Sequence, residues 1–385
     1  MPFLVPSRLT ASQRMRTGGK VPRMNTLPKP SEQQSRVVDR RIEKTVPLVT
    51  PLALHDEFPL SDDVARTVAD GRQAVADVLN GVDDRLLVVV GPCSVHDADA
   101  ALEYAERLRP VAERLSDGLL VVMRVYFEKP RSTLGWKGLI NDPGLDGSGD
   151  VNRGLRIARR LLVQVSELGL PVGCEFLDPI TPQYIADTVG WGAIGARTVE
   201  SQVHRQLSSG LSMPIGMKNR PDGSIATAVD AIKAAAVPHV FSGIDHDGAP
   251  AILHTRGNPD CHLVLRGSDS GPNYDAESVA GAQELLRKAG LAERVVIDAS
   301  HGNSRKDHRR QPVVAEEIGA QVAAGNQAIV GVMLESFLQE GRQDLDPTQE
   351  LVYGQSITDA CMSWETTEQT LQKLRDAAVA RRGQS

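Results

Sequence analysis

The chain has 385 residues, of which 41% are hydrophobic and 4% aromatic, and its 43 basic and 49 acidic side chains give a formal net charge of −6. No apolar run approaches the ~18 residues of a membrane-spanning helix, since stretches such as Leu86–Val90 end at Gly91 and Pro92, and a membrane-embedded protein is excluded. The four cysteines form no C-x-x-C pair, so neither a zinc knuckle nor a disulfide framework is predicted, and a reducing, cytoplasmic location is expected.

Residues 1–36 are predicted to form a flexible basic tail. Residues 1–31 carry six basic side chains and no acidic one, and they lack helical or strand periodicity. An organelle transit peptide and a start codon assigned too early are alternative interpretations, whereas the scarcity of aromatic residues argues against a nucleic-acid arm. Residues 37–60, which contain three prolines, are predicted to form an N-terminal arm that packs outside the main body or on a neighbouring subunit.

From Ser61 onward, short apolar runs alternate with longer segments of helical pattern. The first helix is predicted over Ser61–Leu79, with Ser61 as its N-cap. Eight apolar strands alternating with amphipathic helices over ~270 residues predict an α/β fold, a closed (β/α)8 TIM barrel, with an open doubly wound sheet as the alternative. This catalytic domain is assigned to residues 61–375 and a C-terminal tail to residues 376–385. The predicted strands are Leu86–Val90, Leu119–Tyr126, Pro171–Leu177, Trp191–Ala196, Pro214–Asn219, Cys261–Arg266, Val295–Ala299 and Ala328–Leu334.

Two further short runs, Val240–Ile244 and Ala251–Thr255, flank the turn-forming sequence Asp245-His-Asp-Gly248. Strand-like runs on both sides of such a turn are typical of a β-hairpin. The sequence therefore predicts a hairpin inserted before the strand at Cys261.

Polar and reactive side chains lie at the predicted strand ends, where TIM barrels place their active sites. Several of these ends carry Lys or Arg, although charged residues make up only 24% of the chain. Any one of these cations alone could serve a surface salt bridge. Together they predict a strongly anionic, phosphorylated substrate, because the planar fork of Arg binds phosphate and carboxylate oxygens through parallel hydrogen bonds. The strand-end residues are Cys93, Arg124 with Lys129 and Arg131, Glu175, Arg197, Lys218, Arg266, Asp298 with His301, and Glu335.

A thiol, an imidazole and carboxylates also converge on this face. Cys93, His301 and Glu335 follow different strands, and Asp359 is the best placed acid of the final loop. Such a mixture of donors predicts a site for a divalent ion such as Mn²⁺, Fe²⁺, Co²⁺ or Zn²⁺. A buried structural Cys93 and a covalent mechanism with Cys93 as nucleophile are the alternatives. The sequence contains no dinucleotide-binding, P-loop or serine-hydrolase motif.

Several long, ordered motifs resemble those of the type I 3-deoxy-D-arabino-heptulosonate 7-phosphate (DAHP) synthases, over roughly residues 40 to 375. The resemblance implies that phosphoenolpyruvate condenses with erythrose 4-phosphate and water to give DAHP and phosphate, the first step of the shikimate route to aromatic amino acids. The motifs are Gly91-Pro-Cys-Ser-Val-His-Asp97, Met123-Arg-Val-Tyr-Phe-Glu-Lys-Pro-Arg-Ser-Thr133, Gly135-Trp-Lys-Gly-Leu-Ile-Asn-Asp-Pro143, Gly195-Ala-Arg-Thr-Val-Glu-Ser201, Leu265-Arg-Gly267, Asp298-Ala-Ser-His-Gly-Asn-Ser304 and Glu335-Ser336.

The resemblance implies roles for individual residues. Lys129 is expected to donate a proton to the new hydroxyl, Glu175 or a metal-bound water to activate the attacking water, and His301 to complete the catalytic set. The metal ligands are expected to be Cys93, His301, Glu335 and Asp359. The residues expected to bind substrate are Arg197, Lys218 and Arg266 for the phosphate of phosphoenolpyruvate, Arg124 and Lys129 for its carboxylate, and Arg131 and Ser132 for the phosphate of erythrose 4-phosphate.

The chain departs from the family pattern in the loop after the fifth strand, where Arg220 and Pro221 stand in place of Gly and Thr, and at Phe337. These changes remove no expected ligand but could adjust the choice of aldehyde. A homologue that uses another phosphorylated aldose in secondary metabolism and a non-catalytic regulatory barrel are therefore alternative functions. The expected partners are small-molecule substrates and further copies of the chain in a homodimer or homotetramer, without nucleic acid or membrane.

Overall fold

The structure, a computed structural model, describes residues 37–346 and 348–384. Eight parallel strands close into a barrel, and their side chains are buried along the whole length of each strand because helices cover the outer face. This confirms the predicted TIM barrel and excludes the open doubly wound sheet. The strands are β1 (Leu86–Gly91), β2 (Leu119–Arg124), β3 (Val172–Glu175), β4 (Trp191–Ile194), β5 (Ile215–Lys218), β6 (Val240–Ile244), β7 (Pro250–His254), β8 (Cys261–Leu265), β9 (Val295–Asp298) and β10 (Ile329–Glu335).

Around the barrel the strands follow the order β1, β10, β9, β8, β5, β4, β3, β2. Strands β6 and β7 form a separate antiparallel pair with Phe241 opposite Leu253, which confirms the predicted hairpin. The backbone N–H of Leu52 donates a 2.8 Å hydrogen bond to His246 O at the hairpin turn. The insertion thus contacts the segment that precedes the barrel.

The helices lie outside the strands, and six of the ten described α-helices begin at a side-chain cap. The hydroxyl of Ser61 accepts a 3.2 Å hydrogen bond from Val64 N, as expected of an N-cap, and Gly81 ends the same helix in the left-handed conformation. None of the described helices is long and apolar enough to cross a membrane. The helices are α1 (Pro51–Glu57), α2 (Asp62–Asn80), α3 (Ala98–Arg114), α4 (Val151–Glu167), α5 (Pro182–Ile185), α6 (Gln202–Ser208), α7 (Ala226–Ala235), α8 (Ala276–Lys288), α9 (Gln311–Ala323) and α10 (Trp364–Arg381).

The chain boundaries differ from those predicted. The compact unit that contains the barrel begins at Leu48, and within it Leu54 of α1 is fully buried. Residues 48–60 of the predicted arm therefore pack on the barrel of their own chain. Residues 37–47 belong to a separate unit, and the whole of the predicted basic tail, residues 1–36, lies outside the described residues.

At the other end, α10 continues through Arg381, whose guanidinium donates to Ile329 O at 3.0 Å and to Asp84 O at 2.8 Å. The predicted boundary at residue 375 falls inside this helix. Residues 376–381 are thus part of the outer helical layer and not a tail.

Candidate active site

Five of the eight barrel strands have a charged residue as their last residue. Because all eight strands run parallel, these last residues gather at one end of the barrel. All five are buried, as is Cys93, which lies two residues beyond β1. The residues are Arg124 of β2, Glu175 of β3, Lys218 of β5, Asp298 of β9 and Glu335 of β10.

Three of the four predicted metal ligands form a compact cluster. The donor atoms of Cys93, Glu335 and Asp359 all lie within 4.8 Å of one another. The fourth, His301, places Nε2 3.7 Å from Glu335 Oε1. Thiol, carboxylate and imidazole donors this close together fit a divalent ion of the Mn²⁺ to Zn²⁺ group, because such ions accept sulfur and nitrogen as well as oxygen.

The imidazole of His301 is held by the acid three residues before it. Asp298 Oδ2 lies 2.9 Å from His301 Nδ1, and Ser300 Oγ lies 2.8 Å from the same nitrogen. His301 has a φ of 48°, a left-handed conformation that a non-glycine residue rarely adopts. A partner on Nδ1 leaves Nε2 as the nitrogen available to a cation.

Glu335 is fixed through both its backbone and its carboxylate. Its N–H donates to Gln311 Oε1 at 2.8 Å, and its carbonyl accepts from Gln311 Nε2 at 3.0 Å. Its carboxylate accepts a 2.8 Å hydrogen bond from Arg124 Nη2. Because Gln311 is buried, this support is shielded from water.

The guanidinium of Arg124 lies behind the metal-ligand cluster. Besides Glu335 it donates to Cys93 O at 3.0 Å and to Pro92 O at 3.1 Å, and it lies 3.8 Å from the centre of the Tyr126 ring. Burial lowers the pKa of Arg124, but Glu335 and the other neighbours raise it by more, so the guanidinium stays charged. Through these contacts Arg124 positions the Glu335 carboxylate and the Cys93 backbone.

Lys129 reaches the same cluster from the loop after β2. Its Nζ lies 3.1 Å from Cys93 Sγ and 3.3 Å from Cys93 O. Burial lowers the pKa of Lys129, but Cys93 and Glu335 raise it by more, and the net pKa is above the usual value. The side chain is therefore an ammonium group that can give up a proton beside the cluster.

The predicted phosphate-binding cations occupy different environments. Lys218 Nζ pairs with Asp298 Oδ2 at 3.0 Å, and both groups are buried. Arg266 is 8% exposed, and its Nη1 has no hydrogen-bond partner in the part of the chain that the structure describes. A buried guanidinium nitrogen without a partner is costly unless a ligand accepts from it. Arg266 is thus the cation best prepared for an anion.

The other predicted substrate residues lie at the rim. Arg197 is exposed, and its Nε donates to Ser132 Oγ at 3.1 Å. The Nε of Arg131, also exposed, donates to Trp136 O at 2.8 Å. The loop after β2 therefore carries Lys129 into the buried cluster and Arg131 and Ser132 to its edge.

Glu175 ends β3 and faces the loop after β4. A Cβ at residue 195 would lie 2.4 Å from Glu175 Oε1, so the glycine found there makes room for the carboxylate. Glu175 is buried at the end of the barrel that carries the other charged groups. It can serve as a proton acceptor for a molecule bound there.

Residues 57–372 match the model of the DAHP synthetase I family. The chain belongs to this family. It is 55% identical over 345 residues to "Phospho-2-dehydro-3-deoxyheptonate aldolase, Phe-sensitive" of Escherichia coli (strain K12). That alignment covers 90% of this chain and 98% of the relative. It is 53% identical over 358 residues to "Phospho-2-dehydro-3-deoxyheptonate aldolase" of Corynebacterium glutamicum, at 91% and 97% coverage.

A solved structure of phospho-2-dehydro-3-deoxyheptonate aldolase from Francisella tularensis SCHU S4 superposes on the chain with a TM-score of 0.87. The two share 48% identity, and the alignment covers 89% of this chain and 100% of that one. The fold and the family membership expected from the sequence motifs are thereby confirmed.

Two residues of this DAHP synthetase I family site carry no predicted role from sequence. Asp298, which the sequence analysis named as a strand-end residue without a role, supports His301 three residues later. Gln311, the first residue of α9, lies 24 residues before Glu335 in the chain and supports it through two hydrogen bonds. No local pattern marks such a contact, because it exists only after the barrel has formed.

Proposed function

We propose that the protein is a DAHP synthase. It condenses phosphoenolpyruvate with erythrose 4-phosphate and water to give DAHP and phosphate, the first step of the shikimate route to aromatic amino acids. Membership in the DAHP synthetase I family supports this activity. The observation that carries it at the site is the cluster of Cys93, Glu335 and Asp359 beside the Lys129 ammonium, at the barrel end that also holds an unpartnered Arg266 nitrogen.

Cys93, His301, Glu335 and Asp359 hold the divalent cation in this proposal. The donor set suits Mn²⁺, Co²⁺, Fe²⁺ or Zn²⁺. A cation held by these residues would supply Lewis-acid polarisation of the aldehyde carbonyl of erythrose 4-phosphate. Arg124 and Gln311 keep Glu335 in place for this role through the hydrogen bonds described above.

Phosphoenolpyruvate binds with its phosphate on Arg266 and Lys218, with Arg197 closing over it from the rim. Arg266 Nη1 gains the acceptor that it lacks, which offsets the cost of burying it. The substrate carboxylate lies near Lys129 and Arg124. The phosphate of erythrose 4-phosphate binds at the rim to Arg131 and Ser132, so that its aldehyde end points towards the metal-ligand cluster.

The residues of the chain then move two protons. Lys129 donates a proton to the aldehyde oxygen while C3 of phosphoenolpyruvate bonds to the carbonyl carbon, which turns that oxygen into the new hydroxyl. Glu175 accepts a proton from the water that adds to C2. The C–O bond between C2 and the phosphate then breaks while the C2 hydroxyl passes its proton to the departing phosphate, and the C2 ketone of DAHP remains.

Steady-state phosphate release, measured with added Mn²⁺ or Co²⁺, tests the proposal. We expect erythrose 4-phosphate to be turned over with a kcat/KM at least about 100-fold above those of five-carbon phosphorylated aldoses, a difference of roughly 3 kcal/mol between the two transition states. Turnover confined to another aldose would instead support the secondary-metabolite alternative. Saturable binding of phosphoenolpyruvate without turnover of any aldose would support a regulatory barrel.

The cellular context in this proposal is a cytoplasmic homodimer or homotetramer. The family resemblance supports an assembly of identical subunits, and the four cysteines, all free and buried, suit a reducing compartment. Light scattering at several protein concentrations measures the subunit number. A mass that stays at that of one chain would contradict the oligomer.

A further inference from the structure

We propose that three asparagines, Asn219, Asn273 and Asn303, form a hydrogen-bonded clamp that positions Arg266 for the phosphate of the substrate. They follow β5, β8 and β9 respectively, and so come from three different loops. The inference rests on the proposed function, because it assigns Arg266 to the bound phosphate. We call these three residues the asparagine clamp.

The clamp and one neighbouring amide hold every backbone polar group of Arg266 and Gly267. Arg266 N donates to Asn219 Oδ1 at 2.8 Å, and Gly267 N donates to Asn273 Oδ1 at 2.7 Å. Gly267 O accepts from Asn219 Nδ2 at 3.0 Å, and Arg266 O accepts from Gly302 N at 3.0 Å. The dipeptide is therefore fixed on all four sides.

The asparagines are also bonded to one another and to the strand ends. Asn273 Nδ2 donates to Asn219 Oδ1 at 3.3 Å, and Asn273 N donates to Asn303 Oδ1 at 2.8 Å. Asn303 Nδ2 donates to Asp298 O at 2.8 Å and to Leu265 O at 3.2 Å. The clamp thus joins the ends of β8 and β9 to the first residue after β5.

The backbone immediately after Arg266 packs so closely against the clamp that only glycine fits there. Gly267 has a φ of 70°, and a Cβ there would lie 2.5 Å from Asn303 N. Asn219 and Asn303 are fully buried, so water does not compete for their amides. A backbone held in this way fixes the direction in which the Arg266 side chain leaves it.

The amide side chain suits this task better than a carboxylate. Asn219 donates to Gly267 O while it accepts from Arg266 N, and an aspartate could do only the second. An aspartate would also place a negative charge beside Arg266, which would compete with the substrate phosphate. The neutral clamp holds the backbone and leaves the guanidinium, with its unpartnered Nη1, to the ligand.

The test replaces Asn273, which is only half-buried and can be shortened without opening the core. Asn273→Ala removes the acceptor of Gly267 N–H and the donor to Asn219. We expect the KM for phosphoenolpyruvate to rise about tenfold, the effect of losing about 1.4 kcal/mol of binding energy. The KM for erythrose 4-phosphate and the affinity for Mn²⁺ should stay within about twofold, because neither contacts the clamp. A second variant, Asn219→Asp, is expected to weaken phosphoenolpyruvate binding further.

Asn258→Ala is the matched control. Asn258 is buried, as Asn219 and Asn303 are, and donates from Nδ2 to Ser208 O, Leu211 O and Met213 O. It precedes β8, whereas Arg266 follows that strand. We expect this variant to lower the unfolding temperature and leave the KM for phosphoenolpyruvate unchanged. If Asn273→Ala likewise lowers the unfolding temperature but leaves the KM for phosphoenolpyruvate unchanged, the proposed role of the clamp is refuted.

Calorimetric titration with inorganic phosphate separates this inference from the proposed function. Weaker phosphate binding by Asn273→Ala than by the unaltered protein supports the clamp even if erythrose 4-phosphate is not turned over. Equal phosphate affinities would refute it even if the DAHP synthase assay succeeds.

Discussion

The two ends of the barrel bury polar side chains in different ways. At the N-terminal end, Trp191 Nε1 donates to His262 Nε2 at 3.2 Å, and His262 Nδ1 lies 3.2 Å from Asp260 O. Burial lowers the pKa of His262 to about 4, so this pair is neutral at physiological pH. The polar groups here satisfy one another and support the fold alone.

At the C-terminal end the buried groups are charged. The Arg124–Glu335 and Lys218–Asp298 pairs are almost fully buried, and Arg266 has a nitrogen without a partner. Burying an ion pair costs several kcal/mol of desolvation, which the attraction between its members repays only in part. Among the described residues, the Lys and Arg ion pairs with both partners almost fully buried lie at this end, where a ligand can use their charge. The buried guanidinium of Arg381 at the other end instead donates to backbone carbonyls and supports the fold.

The largest expected effect comes from removing a metal ligand at the charged end. Cys93→Ala or His301→Ala should lower both Mn²⁺ affinity and kcat by at least about 100-fold. Loss of a residue that only supports a metal ligand already costs up to about 100-fold, and loss of the ligand itself should cost at least as much. Titration calorimetry and phosphate release measure the two quantities. The matched control is Cys261→Ala, which removes a buried thiol at the neutral end and should leave both unchanged. Retained Mn²⁺ binding and activity in Cys93→Ala and His301→Ala would refute the ligand assignment.

The neutral end is expected to affect stability and leave activity unchanged, and this effect depends on pH. His262 has a folded pKa of about 4 against about 6.5 in an unfolded chain, so the unfolded state takes up its proton first as the pH falls. The stability contributed by neutral His262 is therefore complete above pH ~6.5 and is lost progressively down to pH ~4, by about 3 kcal/mol in all.

Urea unfolding of the unaltered protein and of His262→Gln between pH 7.5 and 4 measures this loss. Glutamine can still accept from Trp191 but does not titrate, so the variant should lose about 3 kcal/mol less across that range. Identical pH dependence in the two proteins would show that His262 is not held neutral. kcat at pH 7.5 should be the same in both, because the residue lies at the end of the barrel away from the metal-ligand cluster.

The barrel and most of the site could be predicted from sequence because both follow from local patterns. Apolar runs predicted the eight strands, and the residue types at the strand ends predicted Cys93 and Glu335 as metal ligands, whose donor atoms the structure brings together. The direction of the Arg124 guanidinium could not be predicted, because it depends on carbonyl groups of a neighbouring strand end. The helix α10 runs past the predicted boundary at residue 375, and the segment from Trp364 to Arg382 contains no glycine or proline, the residues that most often end a helix.

The smallest effect is expected from a cation that the sequence alone made conspicuous. Arg220 stands where the family pattern has glycine, but its guanidinium pairs with Glu200 at 2.5 Å and with Asp222 at 3.2 Å. Both acids are exposed, and such pairs contribute between about 0 and 1 kcal/mol. Arg220→Gly should therefore change kcat/KM for erythrose 4-phosphate by less than about threefold, whereas Arg266→Met should reduce kcat/KM for phosphoenolpyruvate by at least about 100-fold. Equal losses in the two variants would mean that substrate binding depends on the total positive charge of this face and not on the buried Arg266 guanidinium in particular.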